Sequence, residues 1–129
     1  MKVFVDSNIF IAVLTEEDGR FGEARNLLNS EHDLVTSMVN LMEIRSVLSK
    51  KKNYERDKIE EAQQEIINST DIIIPDSSDF IEANNVQKNT LAYPMDGIIM
   101  AIAANADAEL ASFDKELVDL GATKPGELV

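Results

Sequence analysis

The side chains of this chain that could do chemistry are carboxylates and hydroxyls. The chain has no cysteine and one histidine, so it carries neither a thiolate nucleophile nor a set of zinc ligands. Its five glycines are scattered and form no phosphate-binding loop. Oxygen ligands suit Mg²⁺ or Mn²⁺, and three or four carboxylates around one or two such ions can hydrolyse phosphodiester bonds. The acids are therefore the first candidates for a site.

Two aspartates follow apolar segments that predict strands. Asp6 comes directly after Lys2–Val5, and Asp114 comes shortly after Ala108–Ser112. In open parallel sheets, ligands bind beyond the carboxyl ends of the strands, so both positions suit a site. An aspartate in such a place is also a common helix cap. Neither residue identifies a site when it is taken alone.

A third acid, Glu43, lies on the predicted helix from Ser37 to about Lys51. That segment is apolar nearly all round, which predicts a largely buried helix. Glu43 shares an i, i+4 row with Val39 and Val47, and Arg45 points to another face. A buried, unpaired charge is costly, so we expect Glu43 to have a functional partner.

The fourth acid, Asp96, is the only charged residue between Met95 and Ala104. Its neighbours at i+3 and i+4 are Ile99 and Met100, which predicts an apolar surrounding. The helix dipole favours an acid in the first turn by about 0.3–1 kcal/mol, and this is the purely structural explanation. That explanation does not account for an acid on an apolar face.

The elements that must position these acids alternate between strand and helix. This alternation predicts a single α/β domain over residues 1–129, built as three α/β/α layers around a parallel sheet. A final edge strand is expected between Ala122 and Val129. The other predicted strands are Lys2–Val5, Asp33–Thr36, Asp71–Ile74 and Ala108–Ser112, and the predicted helices are Ile9–Leu14, Phe21–Leu28, Ser37–Lys51, Glu55–Ser69, Asp76–Leu91, Pro94–Asn105 and Asp114–Leu120.

The composition excludes several classes of protein. Twelve basic residues against 24 acidic ones give a net charge of −12, which argues against passive nucleic-acid binding by overall charge. The longest apolar run, Ile98–Ala104, is too short for a membrane span, and the first residues do not form a signal peptide. With no cysteine available for disulfides, we expect a cytoplasmic protein without membrane contact.

The four acids occur in segments that resemble the motifs of a PIN domain. What this resemblance implies is a Mg²⁺- or Mn²⁺-dependent ribonuclease in which Asp6, Glu43, Asp96 and Asp114 form the metal-binding acidic cluster. Ser112 matches a position where the family often has a hydroxyl residue. The matching segments are VFVDSN at 3–8, LMEIRSVL at 41–48, PMDGIIMA at 94–101 and LASFDKEL at 110–117.

The small size of the chain is similar to that of the toxin half of prokaryotic VapBC-type toxin–antitoxin pairs. The resemblance therefore implies an RNA substrate, a small antitoxin partner and a homodimer. Two departures from the family pattern stand out. Gly97 stands where the family usually has a small residue with a side chain, such as alanine, and this could weaken the helix start by up to about 1 kcal/mol. Lys115-Glu116-Leu117 replaces a frequent aspartate–phenylalanine pair, so whether Glu116 or Asn8 joins the site stays open.

One dense basic segment interrupts the acidic sequence. It allows two explanations: a solvated helix end favoured by the helix dipole, or a surface near Glu43 that holds RNA phosphates or an acidic antitoxin segment. The segment comprises Arg45, Lys50, Lys51, Lys52, Arg56 and Lys58.

Other functions remain as alternatives. An aspartate-based phosphatase typically needs a second aspartate two positions after its nucleophile, and Asn8 stands there instead. A phospho-acceptor signalling domain needs adjacent acids beside the acceptor, and Glu16-Glu17 lies in the wrong place. A PIN-like binding domain that has lost its activity is the third alternative, although the presence of all four acids speaks against it.

Overall fold

A four-stranded parallel sheet forms the centre of the computed structural model, which describes residues 1–129. The sheet order is β3-β2-β1-β4, and helices cover both faces. The predicted three-layer α/β/α fold is therefore confirmed. The strands are β1 (Lys2–Val5), β2 (Asp33–Ser37), β3 (Asp71–Ile73) and β4 (Glu109–Ala111); the helices are α1 (Ser7–Leu14), α2 (Phe21–Leu28), α3 (Met38–Lys50), α4 (Arg56–Ser69), α5 (Ser77–Asn89), α6 (Pro94–Asn105) and α7 (Lys115–Asp119).

The central strand β1 has apolar side chains on both faces of the sheet. Successive side chains of a strand point to opposite faces, so Val3 and Val5 pack with helices α1 to α4. Phe4 packs on the other face with Ile99 and Ile102 of α6. All five side chains are buried. Burial on both faces explains why β1 is a continuous apolar run.

Gly97 lies where α6 approaches α5 closely. A Cβ atom at this position would come within 3.3 Å of the backbone carbonyl oxygen of Ala83, a contact that requires the neighbouring helix to shift. The departure from alanine that the sequence shows therefore has a packing reason. Gly97 permits the close approach of two helices and is more than a weak helix start.

Helix α3 is not buried all round, so this prediction is wrong. Its buried residues Leu41, Ile44 and Leu48 form a single stripe, whereas the side chain of Met42 is 63% exposed. Apolar composition misled the prediction because methionines on the outer face remain in contact with solvent. Glu43 is consequently half-buried rather than enclosed.

The expected edge strand at the C-terminus is also wrong. Only a single bridge forms there, between Ala111 and Thr123, and residues Pro125–Glu127 make a turn of 3-10 helix instead. A strand at this edge would need regular backbone donors, and Pro125 has no N–H group.

None of the helices combines the length and the apolar character that crossing a membrane requires.

Candidate active site

The four predicted acids line one open cavity of about 470 Å³ at the carboxyl edge of the sheet. Asp6 follows β1 and Asp114 follows β4, and these two strands are parallel neighbours. Their ends therefore meet, as the sequence predicts. Glu43 reaches the cavity from the second turn of α3, and Asp96 reaches it from the first turn of α6.

Asp6 is the most constrained member of the group. Its side chain is buried, and its Oδ1 atom accepts hydrogen bonds from the backbone N–H of Ser7 at 2.8 Å and from Nδ2 of Asn40 at 3.3 Å. The bond from Ser7 caps α1, which therefore begins two residues earlier than predicted. Asp6 therefore both caps α1 and lines the cavity.

Burial raises the pKa of Asp6 from 3.8 to about 6, because the carboxylate is removed from water. The hydrogen bonds from Ser112 and Ser7 oppose this shift, since they stabilise the charged form. The negative charges of Glu43 and Asp114 raise the pKa further. The acids thus act on one another electrostatically, which is what a shared site produces.

Ser112 connects the ends of β1 and β4. Its hydroxyl donates to Oδ2 of Asp6 at 2.7 Å and accepts from the backbone N–H of Asp114 at 2.9 Å. It also accepts from Nδ2 of Asn8 at 3.1 Å. The Ser112 side chain is completely buried behind Asp6. This geometry suits a residue that positions two acids, and it gives the hydroxyl no face toward a substrate.

Asn8 and Glu116 occupy different places relative to the cavity. Asn8 lines it and holds the loop after β4, because its Oδ1 accepts from the backbone N–H of Phe113 at 3.2 Å. Glu116 is exposed and does not line the cavity. Its backbone N–H donates to Asp114 at 2.9 Å, so Asp114 caps α7.

Asp96 is half-buried, and its pKa is raised. Partial burial is the main cause, followed by the negative charges of Asp114, Glu116 and Glu43. The charge of Glu116 therefore acts on the site from outside the cavity. No arginine or lysine pairs with any of these acids within 4.0 Å.

One residue that supports the site was missed from the sequence. Asn40 is fully buried on α3, and its Nδ2 donates both to Asp6 and to the hydroxyl of Ser7, the latter at 2.9 Å. Its Oδ1 accepts from the hydroxyl of Ser37 at 2.6 Å. A signal was present, because Asn40 interrupts the row formed by Ile44 and Leu48.

The donor atoms at the cavity suit a hard divalent cation. All four acids offer carboxylate oxygens, which Mg²⁺ and Mn²⁺ prefer, and their mutual repulsion would be relieved by a cation. In the present side-chain arrangement, no group of three or more histidine, cysteine or acidic residues is placed to hold one ion together. Donor chemistry and charge fit the metal, and a shared ion requires the carboxylates to turn closer to one another.

The basic segment is divided between two roles. The guanidinium of Arg45 lies 2.6 Å from a carboxylate oxygen of Glu60 and 2.7 Å from the side-chain oxygen of Gln63, so it ties α3 to α4. This confirms that Arg45 is not the partner of Glu43. Lys50 and Lys51 instead line the acidic cavity.

Comparison with known proteins gives a consistent result. The family model of the PIN domain matches residues 3–122. No curated protein matches the chain.

Three solved structures are similar to the chain at low identity. A toxin–antitoxin complex from Klebsiella pneumoniae is 20% identical, with a TM-score of 0.76 over 95% of this chain and 97% of that one. VapC20 from Mycobacterium tuberculosis, described as a Sarcin-Ricin loop cleaving toxin, is 17% identical, with a TM-score of 0.78 over 95% and 97%. VapBC2 from Rickettsia felis, bound to a promoter DNA fragment, is 18% identical, with a TM-score of 0.71 over 92% of each chain.

Proposed function

Because this chain belongs to the PIN domain family, we propose that it is a divalent-metal-dependent ribonuclease that hydrolyses RNA phosphodiester bonds. The observation that carries the proposal is the convergence of four carboxylates, from β1, α3, α6 and the loop after β4, on one open cavity. The carboxyl ends of two strands meet there with two helices that are widely separated in sequence. A cavity of this kind suits a charged, extended substrate better than a small enclosed ligand.

Asp6, Glu43, Asp96 and Asp114 are the residues that would hold Mg²⁺ or Mn²⁺. When bound, such an ion activates water and stabilises the oxygens of the phosphodiester. The residues of the chain hold these carboxylates in place. Asp6 is fixed by three hydrogen bonds and by burial, and the bond that Asp114 accepts in capping α7 restricts its orientation. Glu43, Asp96 and Asp114 keep solvent-facing surface, so they are the acids that can approach a substrate.

Ser112 and Asn40 act as positioning residues in this proposal. Both are buried, and both direct a hydrogen-bond donor at Asp6. Their bonds favour the ionised carboxylate against the effect of burial. An ionised Asp6 at neutral pH is the form that can bind a cation.

The phosphatase alternative is less well supported. It would need an acid at position 8, but the Asn8 side chain is already engaged with Ser112 and the backbone of Phe113. A PIN-like binding domain without activity would have no need for four unpaired acids around one cavity, because like charges held together lower stability.

We further propose that the chain, as one domain over residues 1–129, is the toxin of a type II toxin–antitoxin pair in the cytoplasm. A small antitoxin and a second copy of the chain would be its partners. The support is the similarity of the fold to proteins described as toxins or toxin–antitoxin complexes over nearly their whole length. Purification of the tagged chain from its source cells, followed by determination of the mass and composition of the complex, tests this part. We expect two copies of the chain together with a small protein, and a chain that purifies alone as a monomer would contradict the proposal.

A metal-dependent ribonuclease should cleave RNA in preference to other phosphate esters. Metal-stripped protein is incubated with a labelled RNA, a DNA of the same sequence and a phosphomonoester, each with and without millimolar Mg²⁺ or Mn²⁺. We expect internal cleavage of the RNA only when metal is present. Hydrolysis of the phosphomonoester in preference to RNA would favour the phosphatase, and RNA binding without cleavage under all metal conditions would favour the inactive binding domain.

A further inference from the structure

Two lysines without ionic partners face the acidic cavity. Lys50 is the last residue of α3 and Lys51 is its C-cap, and both line the cavity together with Glu43. Both side chains are exposed, and neither takes part in an ion pair or donates a side-chain hydrogen bond. Both lysines therefore remain available to a ligand.

Hydrogen bonding at the end of the helix does not account for these lysines. A cation near a helix C-terminus can satisfy the last carbonyl groups. Here the carbonyl of Val47 already accepts from the backbone N–H groups of Lys51 and Lys52, and the carbonyl of Leu48 accepts from that of Tyr54. Neither lysine side chain donates to a carbonyl of the last turn, so neither caps α3 by a hydrogen bond.

Positive charge is concentrated at this point of an otherwise acidic protein. Five of the 12 basic residues fall between positions 50 and 58, whereas the whole chain has a net charge of −12. A local positive surface beside a cleft raises the concentration of polyanions there, even when the overall charge opposes binding. Arg45 does not contribute, because Glu60 and Gln63 hold it.

Helix geometry fixes where these cations lie relative to the acids. Lys50 follows Glu43 by seven residues, which places it on the same side of α3 and about 10 Å further along the axis. A phosphodiester that reaches the carboxylates would therefore extend its strand past the two lysines. An acidic peptide would meet the same repulsion from the carboxylates, and the proposed reaction does not require a peptide at this place.

Building on the proposed ribonuclease function, we propose that Lys50 and Lys51 bind the backbone phosphates of the RNA strand next to the bond that is cleaved. The lysines would offset the repulsion between RNA and the acidic protein, and they would set the path of the strand along the end of α3. Because the contacts are to phosphates, they carry affinity and position rather than sequence preference.

The test measures RNA binding and its salt dependence. Single-stranded RNA is titrated with the Asp96→Asn protein and with the same protein carrying Lys50→Gln and Lys51→Gln, over a range of KCl concentrations. We expect the lysine changes to weaken binding about tenfold and to lower the log–log salt slope by roughly 1.4, since each phosphate contact on a single strand contributes about 0.7.

The matched control changes two other exposed lysines, Lys88→Gln and Lys124→Gln, which remove the same charge but do not line the cavity. We expect this pair to leave the salt slope unchanged. Equal slopes for both double variants would overturn the proposal. It would also be overturned if the Lys50 and Lys51 changes abolished binding of an Asp/Glu-rich peptide and left RNA binding intact.

The same variants in the otherwise unmodified chain separate this proposal from the enzymatic one. We expect the Lys50 and Lys51 changes to raise KM for RNA while kcat changes little. Loss of RNA affinity in a protein whose unmodified form cleaves no RNA would contradict the ribonuclease function and would still support the phosphate-binding role.

Discussion

Replacing Glu43 with glutamine or Asp96 with asparagine is expected to lower the rate of RNA cleavage by roughly 10³-fold or more. Both acids line the cavity and keep a face toward solvent. Each substitution removes a charge but keeps the size of the side chain, so the fold should be retained. The measurement is the single-turnover rate on a labelled RNA, with circular dichroism melting curves recorded on the same samples.

The four acids are expected to behave as one unit. If all of them serve one site, then combining Glu43→Gln with Asp96→Asn should cost little more than either change alone, because residues that share a mechanism are not additive. Glu82→Gln is the matched control, since this exposed acid lies on α5 and outside the cavity. A folded Asp96→Asn protein that cleaves RNA at the original rate would show that the acid is structural and that only the fold resembles a nuclease.

Replacing Asp6 with asparagine is expected to stabilise the metal-free protein increasingly as the pH rises from 4 to 7. The pKa of Asp6 is raised from 3.8 to about 6 by burial, so the unfolded chain ionises at lower pH than the folded one. Well below pH 4 both states are protonated and the carboxyl has little net effect on stability. Well above pH 6 the ionised carboxylate lowers the stability of the folded state by roughly 3 kcal/mol, the free energy that corresponds to a shift of this size.

Urea denaturation in EDTA at pH 4, 5, 6 and 7 measures this effect. The loss of hydrogen bonds that asparagine cannot replace lowers the free energy of unfolding by an amount that does not depend on pH. The diagnostic quantity is therefore how the difference in unfolding free energy between the variant and the original protein changes with pH. Asp76→Asn serves as the control. Hydrogen bonds from Ser78 and Asp79 lower the pKa of Asp76 below 3.8, so the stability that this carboxylate contributes is lost only as the pH falls below that value. Asp76→Asn should therefore destabilise the protein by a nearly constant amount between pH 4 and pH 7. A pH-independent difference for Asp6→Asn would contradict the assigned role of burial.

Sequence patterns predicted the fold and the positions of the acids for different reasons. Asp6 and Asp114 were correctly expected at the same edge of the sheet, because parallel strands bring their carboxyl ends to one edge. That β1 and β4 are neighbours follows only from the structure. Glu43 was expected to be buried on an apolar helix, and it reaches the cavity from a helix that is exposed on its outer face. The location was right, but the physical reason was not.

The supporting hydrogen bonds could not be predicted in the same way. The bond between Ser112 and Asp6 joins residues 106 positions apart, and it depends on the register between β1 and β4. Asn40 carried a local signal, as a polar residue in an apolar row, but its partner Asp6 lies 34 residues away. Periodicity identifies the buried face of a helix, whereas the identity of the partners follows only from the packed structure.

Calorimetric titration with Mn²⁺ tests most directly whether these carboxylates together hold a divalent cation. We expect the metal-free protein to bind Mn²⁺ saturably, and Asp6→Asn, Glu43→Gln, Asp96→Asn and Asp114→Asn each to weaken binding at least about tenfold, because each would remove a ligand. The control Glu82→Gln should leave the isotherm unchanged, which separates the site from general attraction to an acidic surface. Identical Mn²⁺ isotherms for the unmodified protein and the four cavity variants would contradict the account.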